Sequence, residues 1–373
     1  MDNIIPAIYY HGIFYTYILV LCLLESIRIY QYSTNALLVD KYQKRESAVL
    51  LSIFLILFIG TRPIDVVFVD TITYAAEYMH PYNLEVDEKR SEWIWVSFAN
   101  CCKSLGLSVH VWFLLIAFCY IMPLLLACKH WFFRQNIYLA MLFVFSAFSF
   151  FSYGVNGLRN GVACSFIIWA MSIYSGKIMN KVVTILLCSI GFFIHKSVAL
   201  PIICFFISYH VIKKFQWALA IWFFSIILSL TLGTSISSYL GPLLGFDQRL
   251  ADLLSASSDS EVMQSFSHTG FRWDFLLYSC MPILLGYYIC HKKRINDRNY
   301  IVLLNTYILA NAFWVIVINA AYSNRFAYLS WFLYPIVLAY PLLRLPIWKD
   351  QGRKTVYILL FHCTFTYFMW LIK

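Results

Sequence analysis

Apolar stretches long enough to cross a lipid bilayer recur along this chain from one end to the other, and nothing else about it limits the fold as strongly. A hydrocarbon core about 30 Å thick needs about 20 apolar residues in a helix. Spans are read near residues 4–27, 47–62, 108–128, 137–153, 158–175, 182–194, 197–212, 216–234, 271–290, 299–320, 326–344 and 355–372. The chain is 61% hydrophobic and 12% charged, against roughly one-half and one-quarter in soluble domains, which excludes a soluble fold. The expectation is an all-α integral membrane protein of about 12 transmembrane helices, forming a single polytopic domain over residues 1–373. The first apolar stretch follows Met1-Asp2-Asn3 with no basic segment and no small-residue cleavage site, so it is expected to remain as a helix.

Charge orients the spans. With residues 28–46 in the cytoplasm and sides alternating thereafter, the cytoplasmic loops hold 18 of the 28 Lys/Arg and only 5 of the 18 Asp/Glu. The inverse orientation violates the positive-inside rule. The net charge of +10 is thus explained by loop retention, and no nucleic-acid partner is expected. The eleven cysteines show no metal spacing and read as small apolar residues.

Two long segments then lie outside. Residues 62–107 contain Asp70-Thr71-Ile72-Thr73-Tyr74, which opens like a helix with an acid near its start, and Glu92-Trp93-Ile94-Trp95, where aromatics flank a charge as in an interfacial helix. Residues 235–270 include Ser255-Ala256-Ser257-Ser258-Asp259-Ser260-Glu261, with no apolar face, and read as a flexible loop.

Ionisable residues at membrane depth are costly, so their positions are informative. Arg62, Asp65, Asp70, Arg159, His195, Lys196, Arg272, Asp274 and Arg325 fall at helix ends or tight turns on the external side. Arg159 opens an apolar helix between Gly157 and Gly161, where it opposes the helix dipole. His195-Lys196 separates two short spans, so this turn is expected below the outer surface, facing water or protein. Arg62, Arg159, Arg325 and Lys196 suit a phosphate-rich anion, because guanidinium clamps phosphate with two bonds and ammonium adds a point charge. A lipid diphosphate fits that depth. Tyr and Trp around such a cavity suit sugar rings, although they also suit interfacial belts.

Four motifs in order resemble those of the EpsG-like group of Wzy polysaccharide polymerases: Gly60-Thr61-Arg62-Pro63 with Asp70-Thr71 and Tyr74; Arg159-Asn160-Gly161-Val162-Ala163; Phe193-Ile194-His195-Lys196-Ser197; and Arg325-Phe326-Ala327-Tyr328. The resemblance covers roughly residues 45–330. It implies an O-antigen or exopolysaccharide polymerase of the bacterial inner membrane, with its active site facing the periplasm and a helical bundle like the GT-C glycosyltransferases. Its substrates would be undecaprenyl-diphosphate-linked oligosaccharides, and its partners membrane lipid and a chain-length regulator protein. On that reading Arg62, Arg159, Arg325 and Lys196 bind the diphosphate, and His195, then Asp70, are the candidate bases. No cofactor is expected. No metal is expected either, since no Asp-x-Asp pair stands at a membrane edge. A lipid-linked oligosaccharide flippase and a sugar acyltransferase remain as alternatives. The first should leave repeats and polar residues on both sides of the midplane, and the second needs a cytoplasmic donor path.

Reporter fusions test the orientation. Fusions at Asn83 and Ser258 are expected to read external and one at Asn296 cytoplasmic; a cytoplasmic signal at Ser258 would overturn the proposed sidedness.

Overall fold

A computed structural model describes residues 5–32, 45–80, 92–233, 270–320 and 323–372. The serine- and aspartate-rich stretch 255–261, most of the expected loop 235–270, and residues 81–91 of the segment 62–107 lie outside the described residues. The described residues are helical, with no strand among them.

A helix or helix pair stands at every position where the apolar pattern expects a span. These are α1 (Tyr10–Tyr32), α2 (Arg45–Gly60), α5 (Val109–Trp131), α6 (Ile137–Phe145) with α7 (Phe150–Val155), α8 (Leu158–Ile173), α9 (Ile178–Ile194), α10 (Ala199–His210), α11 (Phe215–Leu232), α12 (Trp273–Tyr287), α13 (Arg298–Ile316), α14 (Ser323–Trp331) with α15 (Tyr334–Arg344), and α16 (Gln351–Leu371). Two further helices, α3 (Asp70–Met79) and α4 (Trp93–Ser104), occupy the first long external segment. Six helical stretches among the described residues are long and apolar enough to cross a membrane, and four more are apolar but shorter. The chain has the character of a multi-pass helical membrane protein.

Three details differ from the pattern. First, α9 starts at Ile178, four residues earlier than expected. Its first turns carry Asn180 and Lys181, which end the hydropathy signal but not the hydrogen bonding. The stretch 137–153 is broken between α6 and α7, where the Ser146 hydroxyl donates to Leu142 O at 2.6 Å, local side-chain bonding that competes with the helix ladder. The stretch 326–344 is broken after Trp331, because Pro335 has no N–H to return to that residue's carbonyl.

The chain forms two compact units: residues 1–195 with 339–373, and residues 196–338. In the first, α5 packs on α2 and α8, α8 on α9, and α1 on α16. Lipid tails are as apolar as leucine, so close packing and internal hydrogen bonds, rather than burial alone, hold such helices together. Glycines supply the close approach. A Cβ at Gly191 of α9 would lie 2.8 Å from Ile167 Cδ1 and 3.2 Å from Ala163 O, both on α8. One at Gly161 would lie 2.9 Å from Tyr153 O.

In the second unit α13 packs on α10, α11 and α14. Buried polar groups join these helices. Trp222 Nε1 donates to Asn311 Oδ1 at 2.9 Å, and Asn311 Nδ2 donates to Ser330 Oγ at 3.0 Å. Trp331 Nε1 donates to Ser279 Oγ at 2.8 Å, and the Tyr307 hydroxyl to Ser279 O at 2.9 Å. These six side chains thus find protein partners where lipid offers none.

The backbone carbonyl facing Gly161 cannot swing aside as a flexible side chain would. Gly161→Ala is therefore expected to cost about 1–3 kcal/mol, the range for overpacking a tight core, and to lower the thermal midpoint of the purified protein. Gly176→Ala is the control, since a Cβ there meets nothing within 4 Å; equal midpoints for the two variants would contradict this packing.

Candidate functional site

The site grows from the end of α2. Arg62 follows that helix and is fully buried. Its Nη1 donates to Ile59 O at 2.8 Å, its Nε and Nη2 reach Thr71 Oγ1 at 3.2 Å, and Nη2 reaches Val155 O at 3.5 Å. Its Cζ lies 4.6 Å from the centre of the Phe113 ring on α5. The Thr71 hydroxyl in turn donates to Val155 O at 2.7 Å, and Asp70 N donates to Asn156 Oδ1 at 3.1 Å. Together these bonds fasten the start of α3 to the turn that precedes α8. The chain enters α3 through Val69 at φ 48°, a left-handed conformation that strains a β-branched residue by roughly 1–3 kcal/mol and so needs this surrounding bonding to persist.

Docked this way, α3 presents Tyr74 to the first turn of α8. The Arg159 Cζ lies 5.4 Å from the centre of the Tyr74 ring. Burial raises the Tyr74 phenol above its ordinary pKa, and the neighbouring Arg159 partly offsets the rise. Tyr74 and Trp112 both stand edge-on to Trp95, at 5.8 and 5.5 Å between ring centres. These rings form an aromatic floor beneath the charges.

Glu92 is the residue that joins the rest. It stands just before α4, where an acid ordinarily caps the helix, but its side chain makes no capping bond. Its carboxylate, only 6% exposed, instead lies between two partners. Arg159 Nη1 is 2.8 Å from Oε2, and His195 Nδ1 is 2.7 Å from Oε1. His195 terminates α9, its N–H bonded to Gly191 O at 2.9 Å, so the same glycine that lets α9 approach α8 also fixes the histidine's backbone. The side chain of Trp93 meets Phe193 at 5.4 Å and holds the start of α4 against α9. A carboxylate has no proton to give, so Nδ1 carries the hydrogen of this contact. Arg159 and Glu92 neutralise each other. Removing one partner of such a buried pair costs about 3–5 kcal/mol, because the other is left charged and unpaired.

Of the residues expected from the sequence, the structure brings Arg159 and His195 together through Glu92, and sets Asp70 one turn before Tyr74 with its backbone on Asn156. Arg62 is fully buried, and its guanidinium bonds to the carbonyls of Ile59 and Val155 and to Thr71, which ties the end of α2 to the start of α3 and the end of α7. Lys196 and Arg325 belong to the other compact unit. Lys196 begins a short 3-10 turn, Lys196–Val198, and Arg325 is exposed in the first turn of α14. Glu92 was the residue overlooked. Its signal was present, a lone acid beside two tryptophans, but it read as an interfacial charge because its partners lie 67 and 103 residues away.

Arg62→Lys keeps the charge but cannot serve Ile59 O, Thr71 and Val155 O together. It is expected to destabilise the purified protein by about 1.5–3 kcal/mol per charged hydrogen bond lost, with activity per folded molecule preserved. A thermal melt beside a turnover assay on the folded fraction checks this; an unshifted midpoint with lost turnover would return Arg62 to ligand binding.

No curated protein and no solved structure matches the chain. A family model described as the EpsG family matches residues 47–373. That range takes in the helices that carry Arg62, Tyr74, Glu92, Arg159 and His195, together with the whole of the second unit, so the protein belongs to the EpsG family.

Proposed function

We propose that this protein is a polysaccharide polymerase of the bacterial inner membrane. It transfers a growing glycan from undecaprenyl diphosphate onto the terminal sugar of a lipid-linked repeat unit at the periplasmic face. Membership of the EpsG family points to exopolysaccharide biosynthesis. The observation that carries the specific reading is the buried Glu92 carboxylate held between Arg159 and His195.

The chemistry follows from that arrangement. The acceptor hydroxyl is a weak nucleophile at neutral pH, and a positioned base assists as its proton leaves. Glu92 holds the imidazole by Nδ1–H, leaving Nε2 to take that proton. The new bond forms from the acceptor oxygen to the anomeric carbon. The old bond from that carbon to the diphosphate oxygen breaks, and the lipid diphosphate leaves with the electron pair. As the imidazole gains charge, the Glu92 carboxylate stabilises it. Arg159 spends one N–H on Glu92 and offers its remaining fork to the departing anion, where charge develops. Lys196 and Arg325 are proposed as further cationic contacts for the diphosphate. Asp70 stands second to His195 as base. Tyr74, buried against Arg159, holds that guanidinium in place.

The test is elongation of lipid-linked repeat units by the purified protein in excess chelator, where growth is expected to continue. Loss of activity that manganese or magnesium restores would mean a metal takes part. His195→Gln hydrogen-bonds but cannot accept a proton, and is expected to lose about 10²–10⁴-fold in turnover while still binding glycolipid. Near-normal growth in that variant would make His195 a positioning residue. Arg159→Lys keeps the charge without the fork, and is expected to fall at least about tenfold, or 1.4 kcal/mol in the barrier.

A further inference from the structure

Far along the chain from Glu92, the second unit carries a cleft of about 360 Å³ between the last turn of α10 and the first turn of α13. Ser208, Tyr209, Lys213, Asn296 and Arg298 line it, with Ile301 as an apolar wall. The Arg298 guanidinium lies over the Tyr209 ring at 4.5 Å. Stacking of this kind fixes the plane of the guanidinium and leaves its N–H edge directed sideways. The surrounding segments are strongly cationic. Residues 213–214 and 292–298 hold Lys213, Lys214, Lys292, Lys293, Arg294 and Arg298 against one acid, Asp297. That acid is engaged at the helix start, where its carboxylate accepts from Tyr300 N at 2.8 Å. The N-terminal end of α13 adds its own partial positive charge.

The apolar surroundings decide what kind of anion belongs there. Val211 is 72% exposed and Trp217 is 66% exposed, flanking Lys213 on either side in the chain. This basic and aromatic alternation is the pattern of a membrane interface. A soluble anion would gain nothing from those apolar side chains, whereas acyl chains would lie along them.

We propose that this cleft binds the phosphate-bearing headgroup of an anionic membrane lipid. Arg298 grips the phosphodiester with two donors, and Lys213 adds a compact charge. The surrounding basic residues repel zwitterionic headgroups that end in a quaternary ammonium. The charge asymmetry of the loops assigns this face to the cytoplasm, the leaflet surface where basic pockets between helices hold acidic lipids. This reading does not depend on glycan transfer, and its test reads lipid binding alone.

The experiment is native mass spectrometry of the full chain, delipidated in detergent and titrated with dioleoyl phosphatidylglycerol or dioleoyl phosphatidylcholine. Phosphatidylglycerol is expected to bind at least about tenfold tighter. The double variant Lys213→Ala/Arg298→Ala is expected to bring it down to the phosphatidylcholine level. Lys177→Ala/Lys181→Ala, which removes two cations elsewhere, is expected to keep the preference. Should the double variant misfold, Arg298→Lys reads the same site, because it keeps the charge but loses the stacked fork and is expected to lose part of the preference. Full preference in the site variants, or equal loss in the control, overturns the proposal. Displacement of the bound lipid by millimolar inorganic phosphate also overturns it, and would identify free phosphate as the ligand.

Discussion

The buried guanidinium of Arg62 is the constraint on which the site-bearing unit depends. It bonds to the last turn of α2, to Thr71 at the start of α3, and to the carbonyl of Val155 before α8, while covering Phe113 of α5. A buried charge without partners is prohibitively costly, and one with hydrogen bonds on each donor edge becomes a rigid joint. The joint has consequences at a distance. Because α3 is fastened to residues 155 and 156, Tyr74 meets Arg159. Because Arg159 opens α8, its side chain reaches Glu92 at the start of α4. Because α9 packs closely on α8 through Gly191, His195 reaches the other oxygen of the same carboxylate.

Charge in this unit is therefore used in three ways. Arg62 holds structure. Arg159 pairs with Glu92 and lies on the Tyr74 ring. Glu92 orients His195 and balances the arginine. An unpaired Arg159 would repel a neighbouring histidine that gains a proton in a medium of low polarity. Pairing Arg159 with a carboxylate removes that repulsion and at the same time sets the tautomer of the histidine.

The second unit solves the membrane's other problem, that of polar groups surrounded by hydrocarbon. Asn311 and Ser279 lie on interior helix faces and take donors from tryptophans on neighbouring helices. Such bonds specify which helices pair, where apolar contact with a neighbour is no better than contact with lipid. Lys213, Lys214, Lys292, Lys293, Arg294 and Arg298 lie in the segments beside Tyr209 and Trp217, outside this hydrogen-bonded interior.

The sequence by itself determined the helical class, the position of each apolar helix, the charge asymmetry between loops and the family motifs around Arg62, Asp70, Arg159 and His195. These properties are local: an apolar run of sufficient length is helical in a bilayer whatever its neighbours, and a motif is read residue by residue. Breaks at Ser146 and after Trp331 escaped a hydropathy reading, because hydroxyl bonding and a missing proline N–H leave apolarity unchanged. Only the tertiary structure decided the contacts within the site. It placed Glu92 between partners 67 and 103 residues away, and it turned Arg62 inward to carbonyls that no sequence pattern marks. The physical reason is that an ion pair is fixed by where helices cross. That crossing depends on close contacts such as Gly191 against Ala163, which are a property of two surfaces together and of neither segment alone.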